Sequence, residues 1–184
     1  ETDDDFRTRL INTLNERPFG GNVAAYREFI GGLDGVGGVQ VYPTWNGGGT
    51  VKCSIIGTDN QPASSTLIES VQNAVDPPPN QGLGLGMAPI GAQVTIAAPT
   101  AVSVNVSATL TLAPGYEIGQ IQEPAETALT NYINTVCENW DKPTVSGGVD
   151  YTADIYLAQV ISALIGVTGV LNATNVEINS TAAD

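Results

Sequence analysis

Histidine is absent from this chain, and basic residues are scarce: 6 Lys and Arg stand against 19 Asp and Glu, for a formal net charge of −13. Without histidine there is no Ser-His-Asp or Cys-His nucleophile system, no usual zinc site and no common general base near neutral pH. The shortage of cations excludes a different class. Four of them (Arg7, Arg9, Arg17, Arg27) lie near the N-terminus, and beyond Lys52 only Lys142 follows. Release of counterions from phosphate needs clustered Lys and Arg, so neither nucleic acid nor an anionic membrane is an expected partner. No apolar run reaches the roughly 18–20 residues of a membrane span, and Glu1-Thr2-Asp3-Asp4-Asp5 is the reverse of a signal peptide's basic opening. Two cysteines, Cys53 and Cys137, make no disulfide framework. Buried reduced thiols suit a cytosolic place of assembly, with a bridge between the two as the alternative.

What is present suffices for folding. In 184 residues, a 42% hydrophobic share argues against disorder and can close one sizeable core or two small ones. The acidity serves solubility, or forms a face that docks on a basic neighbour.

The opening reads as a helix. Thr2 with Asp5 forms a capping-box pattern, Phe6, Leu10 and Leu14 make one stripe, and Asp3–Arg7 and Asp5–Arg9 are favourable i,i+4 pairs. Pro18 and Gly20-Gly21 end it. A second helix starts at Asn22, a good N-cap, with Tyr26, Phe29, Ile30 and Leu33 on one face. Val39–Tyr42 and Thr50–Ile56 read as strands joined through the turn that holds Trp45 and Asn46–Gly49. Leu67, Ile68, Val71 and Val75 have helical spacing, stopped by Asp76-Pro77-Pro78-Pro79, and Val94–Ala97 is a further strand.

Pro99 marks a soft boundary. Val102 to Leu112 alternates apolar and polar residues, the mark of a half-buried strand. Ile118, Ile121, Ala125, Leu129 and Tyr132 follow a helical stripe, in which Pro124 is tolerable only near the first turns. After a loop over Trp140–Gly148, Ile155, Val160, Ile161 and Leu164 make another helix, and Val176-Glu177-Ile178 a last short strand.

The two halves echo each other. The helix with Tyr26, Phe29, Ile30 and Leu33 runs into Gly35-Val36-Gly37-Gly38-Val39, and the one with Leu157, Val160, Ile161 and Leu164 into Gly166-Val167-Thr168-Gly169-Val170, the apolar positions matching in that order at one constant offset. Each glycine segment is expected to turn a helix C-terminus into an edge strand. The fold class predicted is α+β: two small modules, each with helices packed on a short mixed or antiparallel sheet, preceded by a connector helix. The boundaries expected are 1–17 for the connector, 18–99 for the first module and 100–184 for the second.

Signals for chemistry are few. Cys53 lacks a partner base. Glu123 with Glu126, or Asp150 with Asp154, are the carboxylate pairs a glycosidase would need, with Trp45 and Trp140 as the available platforms; such pairs are usually solvated. Asp3-Asp4-Asp5 points in several directions on a helix and is explained by capping rather than a metal. Gly82-Leu83-Gly84-Leu85-Gly86 has neither GxGxxG spacing nor a P-loop Lys; it reads as a flexible loop or a segment ordered by another subunit. No catalytic residue, metal site or cofactor is expected. Trp45 and Trp140, in loops, either cover core edges or anchor an interface, and Leu83, Leu85 and Met87 join them as interface candidates.

Several segments in order resemble the baseplate J-like family. Glu1-Thr2-Asp3-Asp4-Asp5-Phe6-Arg7-Thr8-Arg9 is similar to that family's acidic-then-Arg helix start. Gly20-Gly21-Asn22-Val23-Ala24-Ala25-Tyr26, leading to Gly35-Val36-Gly37-Gly38-Val39 and Val41-Tyr42-Pro43, resembles its most recognisable stretch. Ala88-Pro89-Ile90-Gly91-Ala92 and Ala98-Pro99-Thr100 are similar to the variant of PBSX-like prophage elements (XkdT-like proteins). The resemblance spans nearly the whole chain and implies the C-terminal part of a baseplate wedge component, with no catalytic residues. The partners it implies are other tail proteins and copies of the chain in a symmetric ring. The place it implies is the tail baseplate of a virion or phage-like particle, assembled in the bacterial cytoplasm. The reading from another class is a glycan- or surface-binding module of a tail-tip or secreted protein, built on Thr/Asn-rich strands and tryptophan loops.

Overall fold

A computed structural model gives the fold and describes residues 2–4, 6, 7, 10, 11, 18–142 and 151–181. Two compact units divide between Thr100 and Ala101. The described residues of the opening from Asp3 to Ile11 are helical, with Phe6 N–H bonded to the Thr2 carbonyl at 3.0 Å. Arg7 approaches Asp3 and Asp4, each at 3.6 Å, on largely solvated side chains where such pairs contribute little. Asp5, Arg9 and Leu14 lie outside the described residues, and with them the capping box, the second ion pair and the end of the stripe.

In the first unit, α1 (Val23–Gly31) begins where Asn22 Oδ1 accepts the N–H of Ala25 at 2.8 Å. It buries Tyr26 and Ile30. β1 (Val36–Pro43) and β2 (Thr50–Gly57) form the expected hairpin, antiparallel from Val36↔Gly57 to Pro43↔Val51. β1 starts three residues earlier than the alternation from Val39 indicates, because a bulge between Val36 and Gly38 hides its first turn of pairing. α2 (Ser65–Val75) is capped by Ser64 Oγ on the N–H of Leu67 at 3.2 Å. β3 (Gln93–Ala97) then pairs with β2 in parallel, giving sheet order β1-β2-β3. Tyr26, Ile30, Val39, Val41, Cys53, Ile55, Val71, Val75 and Val94 fill the core at 0–1% exposure. Burying an isoleucine such as Ile30 or Ile55 stabilises by roughly 2–3 kcal/mol.

In the second unit, β4 (Val106–Leu112) is followed by α3 (Ile118–Cys137), α4 (Leu157–Ile165) and β5 (Val170–Ile178). β4 and β5 pair antiparallel in a two-stranded sheet. Ile121, Ala125, Val160, Leu164, Val170, Ala173 and Val176 form the core. Two expectations change here. Val102 and Val104 lie outside the strand, since β5 ends at Ile178 and, among the described residues, pairing past Val106 goes no further than the bond of Asn179 N–H to Asn105 O at 2.8 Å; Val102 is 78% exposed. Pro124, the seventh of the 20 residues of α3, lies near its first turns as expected, on the exposed face where water can replace the bond its absent N–H would make. β5 is nine residues long rather than three, because bulges at two points disturb its alternation.

The internal echo is real in geometry but displaced by three residues. Tyr26 corresponds to Val160 rather than Leu157, and Ile30 to Leu164; all four are buried. Gly32 N–H bonds to Glu28 O at 3.1 Å, as Gly166 N–H bonds to Ser162 O at 3.0 Å. Val36 N–H bonds to Leu33 O at 3.2 Å, as Val170 N–H bonds to Val167 O at 3.0 Å. Gly35 and Gly169 take the positive φ of the turn, +86° and +96°. β1 then pairs with the strand that follows it, and β5 with the strand that precedes it. The order α1-β1-β2-α2 thus reappears in the second unit circularly permuted, as β4-α3 and then α4-β5.

Candidate interaction surfaces

The groups that carry chemistry are dispersed or silenced. Cys53 is fully buried in β2, and burial pushes its thiol up to about 12, so the nucleophilic thiolate is not formed near neutrality. Both cysteines are free thiols. The Tyr26 phenol is also raised to about 12, first by burial and then by the nearby Cys53 and Asp76. Glu123 and Glu126 are exposed on α3, where Gln122 Nε2 donates to Glu126 Oε1 at 3.0 Å. Asp154 accepts from the Tyr156 hydroxyl at 3.4 Å, and Asp150 lies outside the described residues. Among the described residues, no group of three His, Cys, Asp or Glu is placed to hold a metal ion. None of their helices is long and apolar enough to cross a membrane.

Two open clefts exist. One, of about 470 Å³, is walled by Phe19, Ala25, Phe29, Met87 and Pro89, with Glu28 as its sole ionisable lining residue among the described residues. The other, of about 350 Å³, is formed by Val102, Val104, Ile155, Tyr156 and Ile178, with Asp154. A single carboxylate in each provides no acid–base pair.

One acidic side chain has a definite task. Asp76, 0% exposed at the end of α2, accepts from Gly82 N–H at 2.9 Å and from Val94 N–H at 2.8 Å. Gln72, one turn earlier, accepts from Ile96 N–H at 2.9 Å and donates to Val94 O at 3.0 Å, and Gln81 Nε2 reaches the same carbonyl at 2.9 Å. Together they close the outer edge of β3, where another strand would otherwise pair. The loop that Gly82–Gly86 belongs to is therefore not a flexible tether awaiting a subunit. It is held from within, also by Ala88 N–H on Val75 O at 2.9 Å and Gly91 N–H on Gly82 O at 2.8 Å.

The interface candidates separate on inspection. Trp45 is 48% exposed in the β1–β2 turn, with Lys52 Nζ 5.8 Å from its ring centroid and 5.8 Å from that of Tyr42; an ammonium there is held by the ring faces. Trp140 is half-buried in the turn after α3, its N–H on Cys137 O at 3.0 Å. Leu83 and Leu85 are 60% and 63% exposed, whereas Met87 packs against the first core. Sequence reasoning passed over Phe19 and Ile90, each 85% exposed. The available signal was a large apolar residue among Pro and Gly, which places it in a loop with little to pack on.

Comparison with known proteins agrees with this picture. Residues 18–98 match the family described as Baseplate J-like central domain, and residues 104–184 match Baseplate J-like protein C-terminal domain. The chain is 30% identical over 181 residues to the phage-like element PBSX protein XkdT of Bacillus subtilis (98% of this chain, 48% of that protein). It is 32% identical over 169 residues to baseplate protein gp47 of Escherichia phage Mu (88% and 41%), and 36% identical over 136 residues to the B. subtilis protein YqbT (74% and 38%). The chain thus spans less than half the length of each of these relatives. With both family domains present in order along nearly all of its length, the chain belongs to the baseplate J-like family.

Proposed function

We propose that the chain is a structural component of a contractile-tail baseplate, working through protein–protein interfaces and not through turnover of a substrate. The observation that carries this reading is the succession of the two baseplate J-like domains, together with a relative whose name is baseplate protein gp47. The dispersed carboxylates and the protonated, buried Cys53 support it. Residues 1–17 act as a connector to neighbouring structure, followed by modules at 18–99 and 100–184. Trp45, Trp140, Leu83 and Leu85 supply contact area, and Phe19 and Ile90 join them.

Its partners are other tail proteins and copies of itself arranged in a ring, where many modest interfaces add through effective concentration. The uncharged surfaces serve such contacts best in a chain of net charge −13. Assembly takes place in the bacterial cytoplasm, and the finished location is the baseplate. Immunogold labelling of purified particles carrying an epitope-tagged copy tests this. Label confined to the baseplate end of the tail is expected; label absent from particles, or spread along the tube, would contradict it.

A further inference from the structure

The permuted correspondence between the units exposes a vacancy. β2 of the first unit and β4 of the second occupy the same place: each is antiparallel to the strand that leaves the glycine turn, and each leads into a helix. In the first unit, β3 lies along the far edge of β2, and α2 packs on β3. In the second unit, among the described residues, no strand lies beyond β4 in the sheet, and α3 packs on α4 instead. Two helices side by side span roughly 20 Å, whereas two strands about 4.8 Å apart cover half of that or less. The helical layer therefore overhangs its sheet. Along α3, Leu129, Tyr132, Ile133 and Val136 stay only half-buried, as a helix with an unfilled strand position beneath it would leave them.

Among the described residues, the edge itself is open and unguarded. Asn179 N–H bonds to Asn105 O at 2.8 Å and Ala113 N–H to Gly169 O at 2.9 Å, so the odd-numbered residues of this stretch face β5. By alternation the N–H and C=O groups of Val106, Ala108, Leu110 and Leu112 point away from it. Among the described residues, nothing like the Gln72, Gln81 and Asp76 closure of β3 meets them. β4 also carries no charge and no proline, and the extra residues at the register shifts belong to β5. Those are the usual means by which an edge strand is kept from pairing.

We propose that the open edge of β4 is a strand-acceptor site, taking an extended segment of a partner protein that runs parallel to β4 in the place β3 holds beside β2. β3 itself defines the chemistry of the occupant: Gln93-Val94-Thr95-Ile96-Ala97 is uncharged, with apolar side chains at alternate positions. Main-chain bonds supply the affinity and the alternate side chains the specificity. A second copy's β3 is unavailable, since both of its edges are occupied. A second copy's β4 pairing about a two-fold axis would run antiparallel, against the internal template. The site follows from the geometry of this chain and does not depend on the baseplate reading.

The probe is the acetylated, amidated peptide of residues 91–99, added to the full chain. Binding is expected to slow amide exchange at Val106, Ala108, Leu110 and Leu112, and a nitroxide at the peptide's N-terminus to broaden the amide of Val106 more than that of Leu112. In β3 the N–H groups of Val94 and Ile96 face away from the neighbouring strand, so that of Thr95 faces toward it. N-methylation at Thr95 should therefore weaken binding about tenfold or more, the worth of a lost ladder bond and the clash that replaces it, while N-methylation at Ile96 is tolerated. Because only the peptide is altered, the fold of the protein is not in question. No binding, equal loss from both methylations, or a reversed nitroxide pattern would overturn the proposal. So would concentration-dependent protection of the same amides without peptide, which would assign the edge to a second copy.

Discussion

The carboxylate of Asp76 accepts the backbone N–H of Val94 at 2.8 Å, and neither residue is exposed to solvent. This one contact fastens the end of α2 to the outer edge of β3, and the second oxygen of Asp76 holds Gly82. Replacing Asp76 by Ala strands the buried N–H of Val94 and the partly buried N–H of Gly82, and a loss of about 3 kcal/mol is expected from the cost of unmade bonds to a charged acceptor. Asp76→Asn, which keeps one acceptor oxygen, should lose about half as much. Urea unfolding measures both; equal stability of Asp76→Ala and the parent would refute the role.

Tyr26 presents the opposite case. Its hydroxyl is buried in the first core without a hydrogen-bond partner among the described residues. Tyr26→Phe removes an unsatisfied polar atom while keeping the ring, so stability should be unchanged or higher by about 1 kcal/mol. A drop of that size would mean that the hydroxyl is bonded.

The paired glycines give a graded comparison. A methyl group on Gly169 would meet the Tyr116 ring at 2.5–2.8 Å, whereas on Gly35 it would meet Leu67 Cδ1 at 3.4 Å and Cδ2 at 3.9 Å, ordinary contact distances. Both positions have positive φ. Gly35→Ala should cost about 1–2 kcal/mol from backbone strain alone. Gly169→Ala should cost clearly more, because a ring must move as well. Thermal unfolding of the two variants ranks them, and the reverse order would contradict the geometry.

Local signals in the sequence located α1, α2 and the β1–β2 hairpin closely, since a cap residue, an apolar stripe and a glycine turn each act over a few positions. The last three residues of β5 were legible and its first six were not, because its bulges turn the alternation into burial at Val170, Ala173 and Val176, a spacing of three that resembles neither strand nor helix. The run from Val102 to Leu112 overstated β4, for alternation reports compatibility with a sheet and not the presence of a partner. The offset of the internal echo was misread because Leu157, Phe29 and Leu33 are as apolar as the residues that face the cores. What no pattern could show is the closure of β3 by Gln72 and Asp76, whose bonds to Val94 and Ile96 span 18 to 24 positions. The exposed Phe19 and Ile90 were missed for a related reason: exposure depends on what fails to cover a side chain.

Cys53 makes stability depend on alkaline pH. Its folded thiol sits near 12 against an ordinary value of 9.0, so the unfolded chain releases this proton first. Stability is therefore full below about pH 9 and falls as pH rises from there toward 12. Denaturant midpoints between pH 8.5 and about 10.5 should decline more steeply for the parent than for Cys53→Ala, the remaining slope including Tyr26, which shifts in the same direction. Parallel declines would show that the thiol is not buried as described.

The central claim is that this protein is an assembled part of a tail and not a catalyst beside it. The most direct measurement is electron microscopy of particles from cells whose copy of the gene carries an in-frame deletion of residues 18–184. Tails without baseplates, or no tails at all, are expected, with assembly restored by the intact gene supplied in trans. Particles with complete baseplates in the deletion strain would contradict the account.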